Sequence, residues 1–186
     1  MKKIIYAIVL LIAVFITGNT TEAAIQKEDL NIDGIYMDQN ISEIFAKYGK
    51  PDRVEYGVPV GRICVYNING GELRVSATSA EETGTVNGVT IIRNTGLATK
   101  TGIKVGSDAE EVIKVYGGKI AVHSPEPKMP EATRMIQHSI IIDHDIRYNS
   151  VYGFKDYGKN FYQLWFYLND NNKVIRISFW RDWSSE

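Results

Sequence analysis

The chain has 186 residues, 44% of them hydrophobic, and its 21 Lys and Arg against 22 Asp and Glu leave a formal net charge of −1. No block of like charge occurs, which argues against nucleic acid or an anionic membrane as the main partner, since both demand clustered Lys and Arg. The single cysteine, Cys64, excludes an intrachain disulfide, so stability must come from packing.

Lys2 and Lys3 precede an apolar run from Ile4 to Ile16, and polar and small residues lead to Thr21-Glu22-Ala23-Ala24. This pattern predicts a secretory signal peptide over residues 1–23, cut after Ala23, with retention as an uncleaved anchor as the alternative. The run is shorter than the roughly 20 apolar residues of a transmembrane span. No cysteine stands near the cut for lipid attachment. The mature chain is therefore expected to be extracytoplasmic, secreted or periplasmic, without a membrane span. It keeps about 160 residues and a net charge of about −2, enough for one domain or two small halves sharing a core.

Residues 24–33 read as a polar leader with little periodicity. The stretch from Gly34 to Gly49, GIYMDQNISEIFAKYG, then returns 68 residues later as GIKVGSDAEEVIKVYG, Gly102 to Gly117. Gly34 matches Gly102, Ile35 matches Ile103, Met37 matches Val105, Glu43 matches Glu111, Ile44 matches Val112, and Tyr48-Gly49 matches Tyr116-Gly117. Self-similarity at a fixed spacing implies one supersecondary unit used twice. The reading is a first repeat over 34–93, a linker over 94–101, and a second repeat over 102–183 that carries a Pro-rich insertion at 124–133.

Each copy predicts an amphipathic helix of about three turns. Asn40 with Glu43, and Asp108 or Ser107 with Glu111 or Glu110, have capping-box spacing. Ile41, Ile44, Phe45 and Tyr48 share one helical face, as do Ala109, Val112, Ile113 and Tyr116. The glycine after each tyrosine stands where a left-handed C-cap belongs. Strands are expected over Arg53–Tyr56, Arg62–Ile68, Glu72–Thr78 and Val86–Arg93, with a hairpin turn at Asn69-Gly70-Gly71. After the second helix, Lys119–His123, Ser139–Asp145 and Arg147–Tyr152 look extended, and Tyr157–Asn160 looks like a turn. Phe161–Leu168 and Lys173–Trp180 form the clearest hairpin. Helix followed by antiparallel strands, twice, predicts an α+β fold: a long antiparallel sheet with helices on one face and the other face open.

Alternation assigns faces in the last hairpin. Tyr162, Leu164, Phe166 and Leu168, with Ile175, Ile177 and Phe179, form the expected core side. The other side carries Phe161, Gln163, Trp165 and Tyr167, faced by Val174, Arg176, Ser178 and Trp180, an expected exposed band whose Trp, Tyr and Arg are the residues of interface hot spots. Arg62 and Tyr66 extend the band if Ile63 and Val65 point inward. The competing arrangement has this face covered by residues 124–153 or by a second copy, which leaves homo-oligomerisation open.

Enzyme chemistry finds little support. Asp143-His144-Asp145, with His123 and His138, invites a metal-dependent hydrolase, but a regular strand sends Asp143 and Asp145 to one face and His144 to the other. No HExxH or paired cysteines accompany them. Cys64 sits in an apolar strand, where free cysteines are usually inert, and Ser107 reads as a helix cap, since no Gly-x-Ser-x-Gly elbow surrounds it. No cofactor or metal is expected.

The repeated Gly-Ile start, the short helix ending in Tyr-Gly and the closing LWFYLNDNNKVIRISF resemble the tandem-repeat fold of β-lactamase inhibitor proteins, and also the single unit of the small outer-membrane assembly lipoproteins of the SmpA/OmlA type. The resemblance covers essentially the whole mature chain. It implies a helix-backed antiparallel sheet whose open face binds another protein. This chain lacks both the disulfide cysteines of those inhibitors and the lipidated cysteine of those lipoproteins. The expectation is a non-enzymatic binding protein; the alternatives are the metal-dependent hydrolase above, or an inhibitor of a secreted enzyme acting through Ser124–Thr133.

Overall fold

A computed structural model describes residues 25, 27–57, 61–79, 83–122, 134–148 and 155–182, with the side chains of 57, 122, 137–148, 155–161 and 182 left outside that description. The signal peptide expected over 1–23 and the insertion at 124–133 lie outside the described residues.

Two helices of eight residues each, α1 (Ile41–Tyr48) and α2 (Ala109–Tyr116), occupy the expected places. They are two turns rather than three. Asn40 caps α1 by accepting from the Ser42 amide at 2.8 Å, while Glu43 is taken by the Gln39 side chain at 2.9 Å instead of closing a box. At α2 Glu111 does reach back, accepting from the Asp108 amide at 3.2 Å. Gly49 (φ 78°, ψ −161°) and Gly117 (φ 73°, ψ −155°) end the helices, each donating 2.8 Å to the carbonyl four residues back. That backbone conformation belongs essentially to glycine alone, which explains the Tyr-Gly endings.

Both helices lie on one face of an eight-stranded, wholly antiparallel sheet. Its strands are β3 (Arg53–Gly57), β4 (Gly61–Ile68), β5 (Gly71–Ala77), β6 (Val86–Ile92), β7 (Ala121–Val122), β8 (Arg134–Tyr148), β9 (Lys155–Leu168) and β10 (Val174–Asp182). Their order across the sheet is β3-β4-β5-β6-β10-β9-β8-β7, so the fourth strand after each helix meets its counterpart at the centre. Among the described residues the fold is α+β, mostly antiparallel sheet with two α-helices. A small pair, β1 (Asn31–Ile32) and β2 (Ile35–Tyr36), precedes α1.

One core runs under both helices. Ile41 and Ile44 of α1 and Ala109, Val112 and Tyr116 of α2 pack on Leu73, Val75, Leu164, Phe166 and Ile177 from the sheet. Phe45, Tyr48 and Ile113 are half-buried against it. Leu30 and Ile32, in what reads as a polar leader, are fully buried in the same core. Asn69 (φ 51°) and Gly70 (φ 81°) both take the positive φ that a two-residue hairpin demands, and the β4–β5 turn forms there.

The two helix ends are tied down at matching places, Tyr48 as a donor and Tyr116 as an acceptor. The Tyr48 hydroxyl bonds Asp33 at 2.6 Å, and the Tyr116 hydroxyl bonds Thr101 at 2.6 Å. Asp33 and Thr101 stand 68 residues apart, the spacing of the two tyrosines. Asp33 also takes Lys47 at 2.5 Å. Burial opposes the charge of Asp33, but the bonds from Lys47 and Tyr48 outweigh it and hold the carboxyl below its ordinary range.

Several expectations need correction. Residues 157–160 are strand, not turn: Tyr157, Gly158 and Lys159 pair with Ile146, Asp145 and His144, so cross-strand pairing overrides their local turn character. The separate strands expected at 139–145 and 147–152 are one as far as Tyr148, β8, which begins at Arg134; residues 149–152 lie outside the described residues. A β-bulge between Val174 and Arg176 inserts one residue, so Val174 joins the helix-side core while Ile175 packs with Met135 and Tyr167 on the opposite face.

Candidate docking face

Residues paired across an antiparallel sheet point to the same side, so register alone places the face opposite the helices. Its central rung runs Arg53, Val65, Arg74, Thr90, Ser178 and Trp165 from β3 to β9. One rung to the side, Ile63, Ser76, Gly88, Trp180 and Gln163 align. On the other side stand Glu72, Ile92, Arg176, Tyr167 and Met135.

Trp165, Tyr167, Arg176 and Trp180 therefore share this face, as their alternation predicts, and they touch. The indoles of Trp165 and Trp180 meet edge to face at 4.5 Å, and Trp165 lies 5.9 Å from Tyr167. The Arg176 guanidinium sits 4.6 Å from the Tyr167 ring centre, and its Nε donates to the Ser178 hydroxyl at 3.0 Å. Thr90 donates to the same hydroxyl at 3.0 Å. Trp165 Nε1 donates to Gln163 at 3.0 Å.

The cluster is not the freely exposed band that the alternation suggests. Tyr167 is 1% exposed, and Trp165, Trp180 and Arg176 are half-buried, because the rings pack on one another and on the arginine. The most exposed large apolar side chain among the described residues is Tyr56, at 76%, on β3.

The expected extension through Arg62 and Tyr66 lies on the other side of the sheet. Tyr66 is buried in the helix-side core, 5.6 Å from Tyr48, and burial pushes its hydroxyl pKa up. Arg62 pairs with Ala77, a helix-side residue, and lies over Tyr56 at 5.4 Å. Ile63 and Val65 take the open face instead. Both alternating sets of β4 are apolar, so periodicity could not choose between them. Phe161 pairs with Asp182 and Ile141, and its side chain lies outside the described residues.

Two features of this face carry no local sequence signal. The first is a trough of about 340 Å³ along the β6–β10 seam. Gly88 and Thr90 form its floor, Ile63, Arg74 and Ser76 line one side, and Trp165, Arg176 and Trp180 the other. A Cβ at Gly88 would lie 3.1 Å from the Trp180 Cβ, so glycine keeps this floor low. The second is a closed ring of ion pairs on β3–β5. Arg53 holds Glu55 and Glu72 at 2.9 Å each, and Arg74 holds Glu72 at 3.1 Å and also Glu55. Hydrogen bonds from Arg53 are the largest cause of the lowered pKa of both glutamates.

The metal alternative is only partly visible. Side chains of His123, His138 and Asp143–Asp145 lie outside the described residues; on the backbone, a bulge between Ile142 and His144 breaks regular alternation there. Among the described residues no three His, Cys, Asp or Glu side chains gather as metal ligands, and no helix is long and apolar enough to cross a membrane. Cys64 is buried, which raises its pKa.

No family model and no curated protein matches the chain. Among solved structures, the chain is similar to an extracellular protein containing a SCP domain from Bacillus anthracis, at 13% identity and TM-score 0.48, over 88% of this chain and 50% of that one. It is similar to a DUF4309 family protein from Bacillus subtilis at 14% and 0.44, over 80% and 83%. A cysteine-rich secretory protein from Staphylococcus aureus is similar at 14% and 0.44, over 77% and 44%. The chain thus spans half or less of the length of the first and third proteins.

Proposed function

We propose that this chain is an exported, non-enzymatic binding protein whose open sheet face, centred on Trp165, Tyr167, Arg176 and Trp180, engages a protein partner in the cell envelope or outside the cell. The observation that carries the reading is the joining of two Trp, one Tyr and one Arg in a contiguous cluster beside a trough, on the face away from both helices. Trp, Tyr and Arg dominate interface hot spots because each combines a large apolar body with a polar handle. The basic, apolar and small-residue succession of residues 1–23 supports export.

The same reading takes the chain as a duplication resembling the tandem-repeat β-lactamase inhibitor proteins. Its support is the shared spacing of the two Tyr–Gly helix ends, the two hydroxyl tethers to Asp33 and Thr101, and four strands after each helix.

The test is capture from the native extracytoplasmic fraction with wild-type and Trp165→Ala protein, followed by titration of the captured protein. Trp165→Ala and Trp180→Ala are each expected to weaken binding by about 2 kcal/mol or more while the variants stay folded. Unchanged binding by both folded variants would refute the docking face, and stoichiometric zinc in the purified protein would favour the hydrolase instead.

A further inference from the structure

We propose that two copies of this chain join through the outer edge of β3, pairing antiparallel about a two-fold axis at Val54 so that one sheet continues through both. This pairing is independent of the docking reading.

Strand β3 ends the sheet, and among the described residues nothing pairs with its outer side. Alternate residues of such an edge turn their N–H and C=O groups outward, a template for a further strand. Proteins usually blunt an edge with lysine, proline or a very short strand. At the opposite end of the sheet β7 is two residues long, whereas β3 has five and holds neither lysine nor proline. Its apolar side chains are uncovered as well. Val54, 39% exposed, and Tyr56, 76% exposed, are two of the four exposed large hydrophobics among the described residues, and they share one side of the strand.

Register then selects the occupant. A two-fold axis at Val54 sets Val54 against Val54 of the second copy, Tyr56 against its Asp52, and Arg53 against its Glu55. Pro51, which has no N–H, stops the ladder at Asp52. Sliding by two residues sets Arg53 against Arg53 or Glu55 against Glu55, and like charges directly opposite are destabilising. Sliding by one turns every side chain to the wrong face. Arg53 and Glu55 keep their ion pairs with Glu72, Arg74 and each other, so the register needs no free charge, only that no like pair be opposed. Diagonal neighbours across a sheet are within reach of an aromatic ring, so each Tyr56 can lie against Val54 of the other copy. An unrelated strand would have to bring this order of charge and apolar residues; a second copy carries it already. The axis stands perpendicular to the sheet, which leaves the helices of both copies on one side and both open faces on the other.

The outer edge of β8 beyond Met135 is open too among the described residues, so the experiment must tell the two edges apart. Purified protein is followed by sedimentation velocity over a concentration series. So short a ladder makes a small interface, and a concentration-dependent equilibrium between monomer and dimer is expected. Val54→Lys sets two ammonium groups against each other at the axis and should raise the dimer dissociation constant about tenfold or more. Val54→Cys should be captured as a disulfide-linked dimer under mild oxidation, because the paired backbones hold the two positions within bonding reach. Tyr56→Cys should not, since its two copies stand about 13 Å apart along the seam. The wild type, whose Cys64 is buried, is the control. Cross-linking decides the matter if Val54→Lys does not fold. A monomer at every concentration would overturn the proposal. So would a dimer that Val54→Lys leaves unchanged and Val54→Cys does not cross-link, and equal cross-linking of both cysteine variants would overturn the register.

Discussion

The two halves of this molecule agree on one side of the sheet and differ on the other. Beneath the helices, α1 with β3–β6 and α2 with β7–β10 share helix length, glycine ends, tyrosine tethers and one continuous hydrophobic core. On the open side, the places that β5 fills with Glu72 and Arg74 are filled on β9 by Tyr167 and Trp165. One half carries a self-neutralised ring of ion pairs and the other an aromatic cluster. Packing constrains the buried face of both halves alike, because lost volume there is costly, whereas the open face is under no such constraint. The proposed partner chemistry therefore sits on one half and on the seam.

Mutations should separate the two sides. The largest effects belong under the helices. Phe166→Ala, beside Tyr116 at 5.3 Å, is expected to cost about 3–5 kcal/mol of stability in denaturant unfolding, and Leu73→Ala in the other half about 2–5 kcal/mol. Losses below about 1 kcal/mol would deny that both halves share that core. Next come Trp165→Ala and Trp180→Ala, whose effect should appear in partner binding more than in unfolding.

Smaller still are the tethers. Tyr48→Phe removes the bond to Asp33 and Tyr116→Phe the bonds from Thr101 and Thr99, each worth about 1 kcal/mol. Acid should tell them apart. Because the Asp33 pKa is lowered in the fold, its contribution is complete above the ordinary Asp value of about 4 and is lost as pH falls through the lowered value. The Tyr48→Phe penalty should shrink in unfolding measured below about pH 4, and by more than the Tyr116→Phe penalty, because Tyr48 bonds a carboxylate directly while Tyr116 bonds Thr101 and Thr99, with Asp29 acting on it by its charge. Equal acid sensitivity would remove this difference between the halves. Smallest is Glu72→Gln, under about 1 kcal/mol, since an exposed ion pair gains little over water.

Local signals carried much of the helix side. The Asn40 cap, the Asp108–Glu111 capping box, the Tyr-Gly endings, the Asn69-Gly70 turn and the Tyr162-Leu164-Phe166-Leu168 alternation each act within a few residues and are where they were expected, whereas Glu43 turned to Gln39 instead of closing a box. Other features depend on partners far along the chain. Tyr66 could be placed only by knowing which apolar set of β4 faces the helices. Ile175 changed sides through a single inserted residue. Leu30 and Ile32 enter the core from a stretch too short to show a period. Half of the proposed docking site was legible, because Trp165, Tyr167, Arg176 and Trp180 alternate within one hairpin. The trough was not, since Arg74, Gly88 and Trp180 come together from three strands on both sides of the seam.

The central claim, that partner contact lies on the aromatic half and seam of the open face, is tested most directly by hydroxyl-radical footprinting of the protein alone and with its captured partner. The account predicts reduced oxidation of Trp165 and Trp180 in the complex, with Tyr36 and Tyr56 unchanged. Protection of Tyr36 or Tyr56 with both indoles unaffected would contradict it.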